Sequence, residues 1–309
     1  MDAVIRLDRL TKHFGAETAL SEVSLEVPRG TVFALLGENG AGKTTAIRIM
    51  LGLTDPSSGS AEVLGFSSAT QGLTIRQHIG YVPERPTVYD WMTVEEIGWF
   101  TAGFYGSGFL PEYSRLIAQF GLPGKRKLKA LSKGMRAKVV LSLALAHQPE
   151  LLILDEPTSG LDALVRREFL ERMVDRAASG QTVFLSSHQI AEVERVADIV
   201  AILRKGTLVL VERLDELKAQ VKKVTVTLKD GVSVPPNLAG EVLSQRFKPR
   251  QCQSVVRGMA EEQLARLRSD AAVAGVEVHA TSLEDIFVAY MQHDNGAAKH
   301  SLAQEVPQP

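Results

Sequence analysis

The chain has 309 residues, 45% hydrophobic and 23% charged, with 25 glycines and 13 prolines, which excludes a disordered, collagen-like or low-complexity protein and leaves room for two domains. The 35 Lys and Arg against 36 Asp and Glu give a net charge of −1, so no global positive field draws the chain to nucleic acid or to an anionic membrane surface, and no nucleic-acid partner is expected. The single cysteine, Cys252, has no companion for a disulfide or a zinc site and reads as a small semi-buried residue in a reducing compartment.

The first residues, MDAVIRLDRL, carry acids among alternating apolar residues, so no secretory signal is expected there. Val4–Leu10 and Ser24–Val27 alternate as half-buried strands do, ahead of the turn Pro28-Arg29-Gly30, and predict an antiparallel β start. Thr31–Leu36 is continuously apolar, the mark of a strand buried on both faces, and runs into a glycine-rich turn and a helical stretch, Thr45–Leu51. Short helical pieces broken by glycines fill Trp91–Ala130. The apolar stretch Val139–Ala146 is far short of the roughly 18–20 residues that cross a bilayer. Buried strands return at Leu151–Leu154, Thr182–Ser186 and Ile199–Leu203, with a helix over Leu164–Ala178 between the first two, so a mostly parallel sheet is expected. Beyond Leu217 the chain restarts with alternation over Val224–Leu228, then Pro235-Pro236, a helix over Ala260–Leu267, a strand over Val276–Val278 and a helix capped by Ser282 with Asp285 as its capping-box partner. A polar tail without periodicity, expected to be disordered, covers 294–309.

Residues 37–44 read GENGAGKT, the phosphate-binding G-x-x-x-x-G-K-[ST] pattern in its required place between a buried strand and a helix. Phosphate oxygens need converging N–H donors at close backbone approach, which Gly37, Gly40 and Gly42 permit, and the helix N-terminus adds its dipole. Gly37, Glu38, Asn39, Gly40, Ala41, Gly42, Lys43, Thr44 and Thr45 are therefore the candidate nucleotide-binding set. Lys43 would place a cation between the β- and γ-phosphates and Thr44 would ligate Mg²⁺. At Leu151–Glu156 (LLILDE) two acids end a buried strand, where open α/β sheets bind ligands. Asp155 is the candidate metal ligand, and Glu156 the candidate base for a water attacking the γ-phosphate.

At this point the residues resemble the nucleotide-binding subunits of ABC transporters, over about residues 3–215. Leu131–Met135 (LSKGM) stands where that family has its signature LSGGQ, and the resemblance implies that Ser132 and the Gly134 backbone meet the γ-phosphate of ATP held by a second subunit; a plain helix cap is the rival. Ser159–Asp162 (SGLD) resembles the D-loop at the dimer interface, which makes Asp162 a candidate. His188 matches the switch histidine at the γ-phosphate, with a merely structural histidine as its rival. Phe14 lies where the family stacks an aromatic on adenine, against a core phenylalanine. Where the family places a glutamine the chain has Glu84, read as a further catalytic and metal-shell candidate, and the signature carries Lys133 and Met135 in place of a glycine and the glutamine. Variants of this kind and a C-terminal segment like Ser282–Phe287 are similar to the ABC-2-type exporter branch (drug, antibiotic, lipid or sodium export), which carries the resemblance more weakly to about residue 291.

The expected fold is α/β: a P-loop NTPase core with an antiparallel β subdomain and a helical insertion, plus a small C-terminal α+β domain. The expected domains are 1–217, with the insertion at about 85–148, then 218–293 and the tail 294–309. The resemblance implies a cytoplasmic ATPase using ATP and Mg²⁺, forming a dimer (a homodimer or one with a sister subunit) and held to the inner face of the membrane by a permease on a separate polypeptide. The segment Pro86–Met92, with Tyr89, Trp91 and Met92, is the candidate permease seat, against aromatics packing the insertion onto the core. The alternatives are a soluble ABC ATPase outside transport, and a P-loop small-molecule kinase, which leaves Ser159–Asp162, His188 and Leu131–Met135 unexplained. A regulatory role for the C-terminal unit is the remaining possibility.

Overall fold

The structure, a computed structural model, describes residues 3–230, 232 and 237–292, so Pro235-Pro236 and the expected tail 294–309 lie outside the described residues. The chain opens with β1 (Ala3–Phe14) and β2 (Glu17–Pro28), antiparallel partners longer than their alternating cores. Then come β3 (Val32–Leu36) and α1 (Lys43–Met50), followed by β4 (Ser58–Val63) and β5 (Phe66–Ser67), which complete a four-stranded sheet in the order β2-β1-β4-β5. Helix α2 (Ser68–His78) leads to β6 (Ile79–Val82). The insertion holds α3 (Val94–Ala102), α4 (Phe109–Gln119) and α5 (Lys133–Leu145). The core resumes with β7 (Leu151–Asp155), α6 (Ala163–Ala178), β8 (Thr182–Ser187), the short α7 (Ile190–Val193), β9 (Ile199–Arg204) and β10 (Thr207–Arg213).

Strands β6 to β10 and β3 form a six-stranded sheet in the order β10-β9-β3-β8-β7-β6. The pairs β9–β3, β3–β8, β8–β7 and β7–β6 are all parallel. Every residue of β3, β7 and β8 is buried, as their unbroken apolar runs require of strands covered on both faces, and Phe33 stacks on Phe184 across the β3–β8 pair with ring centroids 5.6 Å apart. Parallel pairing puts the ends of β3, β7 and β8 on one edge, so that Gly37, Glu156 and His188 emerge together.

The insertion is closed by local chemistry. Thr93 and Glu96 form a capping box at the start of α3. The Tyr113 ring of α4 lies against Gly98 of α3, where a Cβ would come within 2.1 Å of it, and its hydroxyl donates to the Val94 carbonyl at 2.7 Å.

The chain divides into two compact units: residues 1–188 with 196–208, and residues 189–195 with 209–309. The boundary expected at 217 thus falls inside β10, and α7 belongs to the second unit. Two interactions account for this: Glu212 of β10 is ion-paired with Arg257, and α7 packs on the last helix. The second unit continues with α8 (Leu214–Gln220), β11 (Val221–Leu228), β12 (Glu241–Lys248), β13 (Gln251–Arg257), α9 (Glu261–Ser269), β14 (Val273–Ala280) and α10 (Leu283–Gln292). Its four-stranded antiparallel sheet runs β12-β13-β11-β14, with Val224, Val226, Val256 and Cys252 in the core beneath α9. Cys252 is fully buried, deeper than its expected semi-buried place. At α10 the Ser282 hydroxyl accepts from the Asp285 N–H as expected, but the Asp285 carboxylate takes the hydroxyl proton and the Lys223 ammonium in place of the Ser282 N–H that a capping box would use. No helix among the described residues is long and apolar enough to cross a membrane.

Candidate functional site

The glycines of the 37–44 loop are needed first by the protein itself. A Cβ on Gly42, whose φ is +107°, would stand 2.4 Å from the Ala19 carbonyl oxygen, and one on Gly37 would stand 2.6 Å from that of Leu203. Gly40, at φ +81° with open space around it, is the one whose missing side chain leaves room for a ligand. The loop turns straight into α1, which begins at Lys43, two residues earlier than expected, so Lys43, Thr44 and Thr45 all lie in its first turn.

Lys43 is 6% exposed, and its ammonium donates to the carbonyls of Gly37 at 2.6 Å and Glu38 at 3.2 Å. It also lies 3.0 Å from Oε1 of Glu156, itself 8% exposed. That approach is out of line for a hydrogen bond, which leaves Oε1 a buried acceptor without one. The other oxygen, Oε2, accepts from His188 Nδ1 at 2.8 Å and from the His188 backbone N–H at 3.3 Å. A carboxylate accepts, so this contact places the imidazole proton on Nδ1 and leaves Nε2 to face outward. Glu156 has φ +49°, a left-handed conformation that a residue with a side chain holds only when its surroundings fix it.

Those surroundings include a residue the motifs do not mark. Ser186, the parallel register partner of Asp155 on β8, donates its hydroxyl to Asp155 Oδ1 at 2.6 Å and accepts from the Glu156 N–H at 3.1 Å. One side chain thus holds both acids. The sequence shows Ser186 only as a polar residue following the apolar run Val183–Leu185, with nothing that marks its role. Tyr81 on β6 is a second unmarked neighbour, its hydroxyl pushed up to about 12 by burial and then by the Asp155 charge.

The other candidates sit on other elements and turns. Phe14 ends β1 and is 53% exposed, with the Lys12 ammonium over its ring at 5.0 Å, so the core-phenylalanine rival falls away. Ser132 caps α5, accepting from the Met135 N–H at 3.2 Å, and Asp162 caps α6, accepting from the Val165 N–H at 3.0 Å. Capping uses their acceptor capacity and leaves the Ser132 hydroxyl proton free to donate. Gly134 is buried close to Val165, 3.1 Å from where its Cβ would be. Glu84 is half-exposed, its nearest charge being Arg85 at 4.0 Å. Among the described residues no group of three His, Cys, Asp or Glu could hold a metal. Thr44 and Asp155 supply hard oxygen donors on neighbouring elements, α1 and β7.

The chain is similar to known proteins over about seven tenths of its length. The model of the family described as ABC transporter matches residues 20–159. A probable multidrug ABC transporter ATP-binding protein of Escherichia coli is 38% identical over 224 residues, 71% of this chain but only 39% of that relative. The bacitracin transport ATP-binding protein of Enterococcus faecalis is 35% identical over 231 residues, 73% of this chain and 74% of its own length. The structure of an ATP-binding subunit of an ABC transporter, 35% identical, matches with TM-score 0.64 over 70% of this chain and 92% of that one. A dimeric ATP-binding cassette in a post-hydrolysis state with ADP and phosphate shares the fold at TM-score 0.62 and 23% identity.

Proposed function

The chain belongs to the family of ABC transporter ATP-binding proteins, and from that premise we propose that it hydrolyses ATP as one of a pair of copies and drives a membrane permease made as a separate polypeptide. The observation that carries this reading is the meeting of Lys43, Glu156 and His188 where β3, β7 and β8 end. ATP is the substrate. The 37–45 loop takes its phosphates with backbone N–H groups and the Lys43 ammonium, and the exposed Phe14 ring stacks on the base. Thr44 and Asp155 would hold Mg²⁺, with Glu84 as a further oxygen acceptor, and the ion would supply charge neutralisation at the phosphate oxygens.

Glu156 orients a water and takes its proton as the water oxygen bonds to the γ-phosphorus and the bond to the β–γ bridging oxygen breaks, releasing ADP and phosphate. His188 holds the Glu156 carboxylate through Nδ1, and its ring donates to the γ-phosphate when Nε2 carries a proton as well. Ser132 and the Gly134 N–H meet the nucleotide held by the other copy, and the Asp162 turn lines the contact between copies. ATP favours the closed pair, and loss of the γ-phosphate reopens it.

The permease seat is an aromatic surface on the insertion. Tyr89 and Trp91 are 50% and 63% exposed, and Tyr89 packs edge-on to Phe100 with centroids 5.5 Å apart. Phe100 meets Phe104 in turn, so the aromatics are turned outward instead of packing the insertion onto the core. Met92, expected on this surface, is buried instead. The occupant is an apolar helix of the permease, which puts the chain on the cytoplasmic face of the membrane. The names of its relatives, a multidrug transporter and a bacitracin transport protein, support export as the direction of travel.

The test is the mass in solution of Glu156→Gln protein with and without Mg-ATP. A mass that doubles only with Mg-ATP supports the reading, and a monomer that binds ATP without pairing overturns the homodimer.

A further inference from the structure

The aromatic surface and the Leu131–Met135 turn are joined through Asp90 and Met92, and only Asp90 reaches past the turn to Arg136. In the segment Tyr89–Met92 the side chains of Tyr89 and Trp91 are exposed, whereas Asp90 between them is engaged with the signature turn from both sides. Its backbone carbonyl accepts from the Lys129 N–H at 3.1 Å, two residues ahead of Leu131. Its carboxylate takes Arg136 Nη2 at 2.6 Å, one residue past Met135. The stretch between these anchors is closed on itself: Leu131 N–H donates to the Leu128 carbonyl, Met135 N–H to the Ser132 hydroxyl and Arg136 N–H to the Ser132 carbonyl. Asp90 reaches both ends of this stretch and the Met92 carbonyl adds a bond from the Leu128 N–H at 2.8 Å, so the turn is tied to the segment that carries Tyr89 and Trp91.

The electrostatics give a second, independent reason for the pairing. Helix α5 has Lys133 and Arg136 in its opening turn and no acid there, an arrangement that opposes the helix dipole. The Asp90 carboxylate supplies the missing negative charge from outside the helix. Asp90 and Arg136 are 59% and 34% exposed in their side chains, so the pair adds little to the stability of the fold. Its consequence is placement.

We propose that Asp90 and Arg136 are positioning residues that fix the Leu131–Met135 turn relative to the aromatic surface, so that a helix seated on Tyr89 and Trp91 sets how Ser132 and Gly134 meet the nucleotide of the second copy. The inference rests on the reading of that turn as the surface that closes over the other copy's ATP.

The effect belongs in pairing between copies and not in nucleotide binding by the 37–45 loop of the same copy. In a Glu156→Gln parent, Asp90→Arg and Arg136→Asp are each expected to raise the protein concentration needed for Mg-ATP-dependent pairing by about tenfold, since a symmetric pair contains the tie twice. The combined Asp90→Arg/Arg136→Asp variant, which re-forms the pair with its charges exchanged, is expected to return to within about threefold of the parent. Affinity for a fluorescent ATP analogue, read below the pairing concentration, stays within about twofold, and Tm within about 2 °C. Rescue by charge exchange is the readout that a merely structural role would not produce. Single variants that pair like the parent, or a double variant no better than either single, overturn the proposal, and so does an equal loss of ATP affinity. If a charge reversal prevents folding, Asp90→Asn and Arg136→Gln carry the same comparison without the rescue. A parent that never pairs overturns the underlying reading instead, before any Asp90 variant is made.

Discussion

At the scale of single residues, Glu156 and Lys43 differ in what their removal strands. In Glu156→Gln the Lys43 ammonium keeps the Gly37 and Glu38 carbonyls, so the loop holds and ATP still binds, while turnover falls about 10²- to 10⁴-fold with the loss of the base. Lys43→Ala removes the cation from the phosphates, and its expected defect is a raised Kd for ATP. A Glu156→Gln protein at wild-type turnover would remove Glu156 from the mechanism. Ser186→Ala is the sharper test of the geometry, because it takes from Asp155 its 2.6 Å donor and from the Glu156 N–H its hydroxyl acceptor while adding no bulk. The expected outcome is kcat lowered about ten- to hundredfold with KM for ATP little changed, because the base shifts and the phosphate loop does not. A Ser186→Ala enzyme with normal kcat would mean that His188 and the backbone hold the left-handed Glu156 without the Ser186 hydroxyl.

At the scale of elements, the insertion depends on the closeness of α3 and α4. Gly98→Ala would drive a methyl into the Tyr113 ring, and because Tyr113 is also fixed through Val94, about 1–3 kcal/mol should be lost, visible as a lower Tm. Helices α5 and α6 are tied by Glu168, which accepts from Lys138 at 2.7 Å and from Arg172 at 3.4 Å. The Lys138 hydrogen bond leads in holding its carboxyl below the usual range against the opposing pull of burial. A depressed carboxyl contributes stability above its unfolded pKa and loses it as pH falls through the folded value, so the loss runs downward from about pH 4.5. Glu168→Gln should therefore show a smaller drop in Tm between pH 7 and about pH 3.5 than the parent, and an unchanged drop would remove Glu168 from the acid response. Which elements were legible in the sequence follows from their burial. Strands covered on both faces, β3, β7, β8 and β9, carry short apolar runs bounded by turns or polar residues, and their length of five or six residues separates them from the longer apolar stretch in α5. The edge strand β12, with the sequence EVLSQRFK and mostly exposed side chains, has no such pattern, and β13, QCQSVVR, mixes polar and apolar residues on its buried side. The site was legible where backbone chemistry demands particular residues, as in the 37–44 loop. Ser186 was not, because its role comes from a register between strands that are distant in sequence.

At the scale of the whole molecule, the division inside β10 makes a prediction that a boundary at 217 would not. Glu212 is buried, one of its oxygens has no hydrogen-bond partner, and the other is taken by Arg257, which also reaches Gln220 and Tyr290. Arg257 is thus the main compensation for a carboxylate withdrawn from water. Arg257→Met leaves that charge buried and alone, at a cost of about 3–5 kcal/mol, whereas Arg257→Met with Glu212→Met exchanges the pair for apolar packing and should recover much of the loss. Because residues 209–309 and α7 form one unit, the destabilisation should appear as a second-unit transition moved to lower temperature, while ATP binding by the first unit persists through it. Calorimetry with a fluorescent ATP analogue present separates the two. Loss of ATP binding in step with the moved transition would mean that the chain unfolds as a single body, and that the division in β10 has no counterpart in cooperativity.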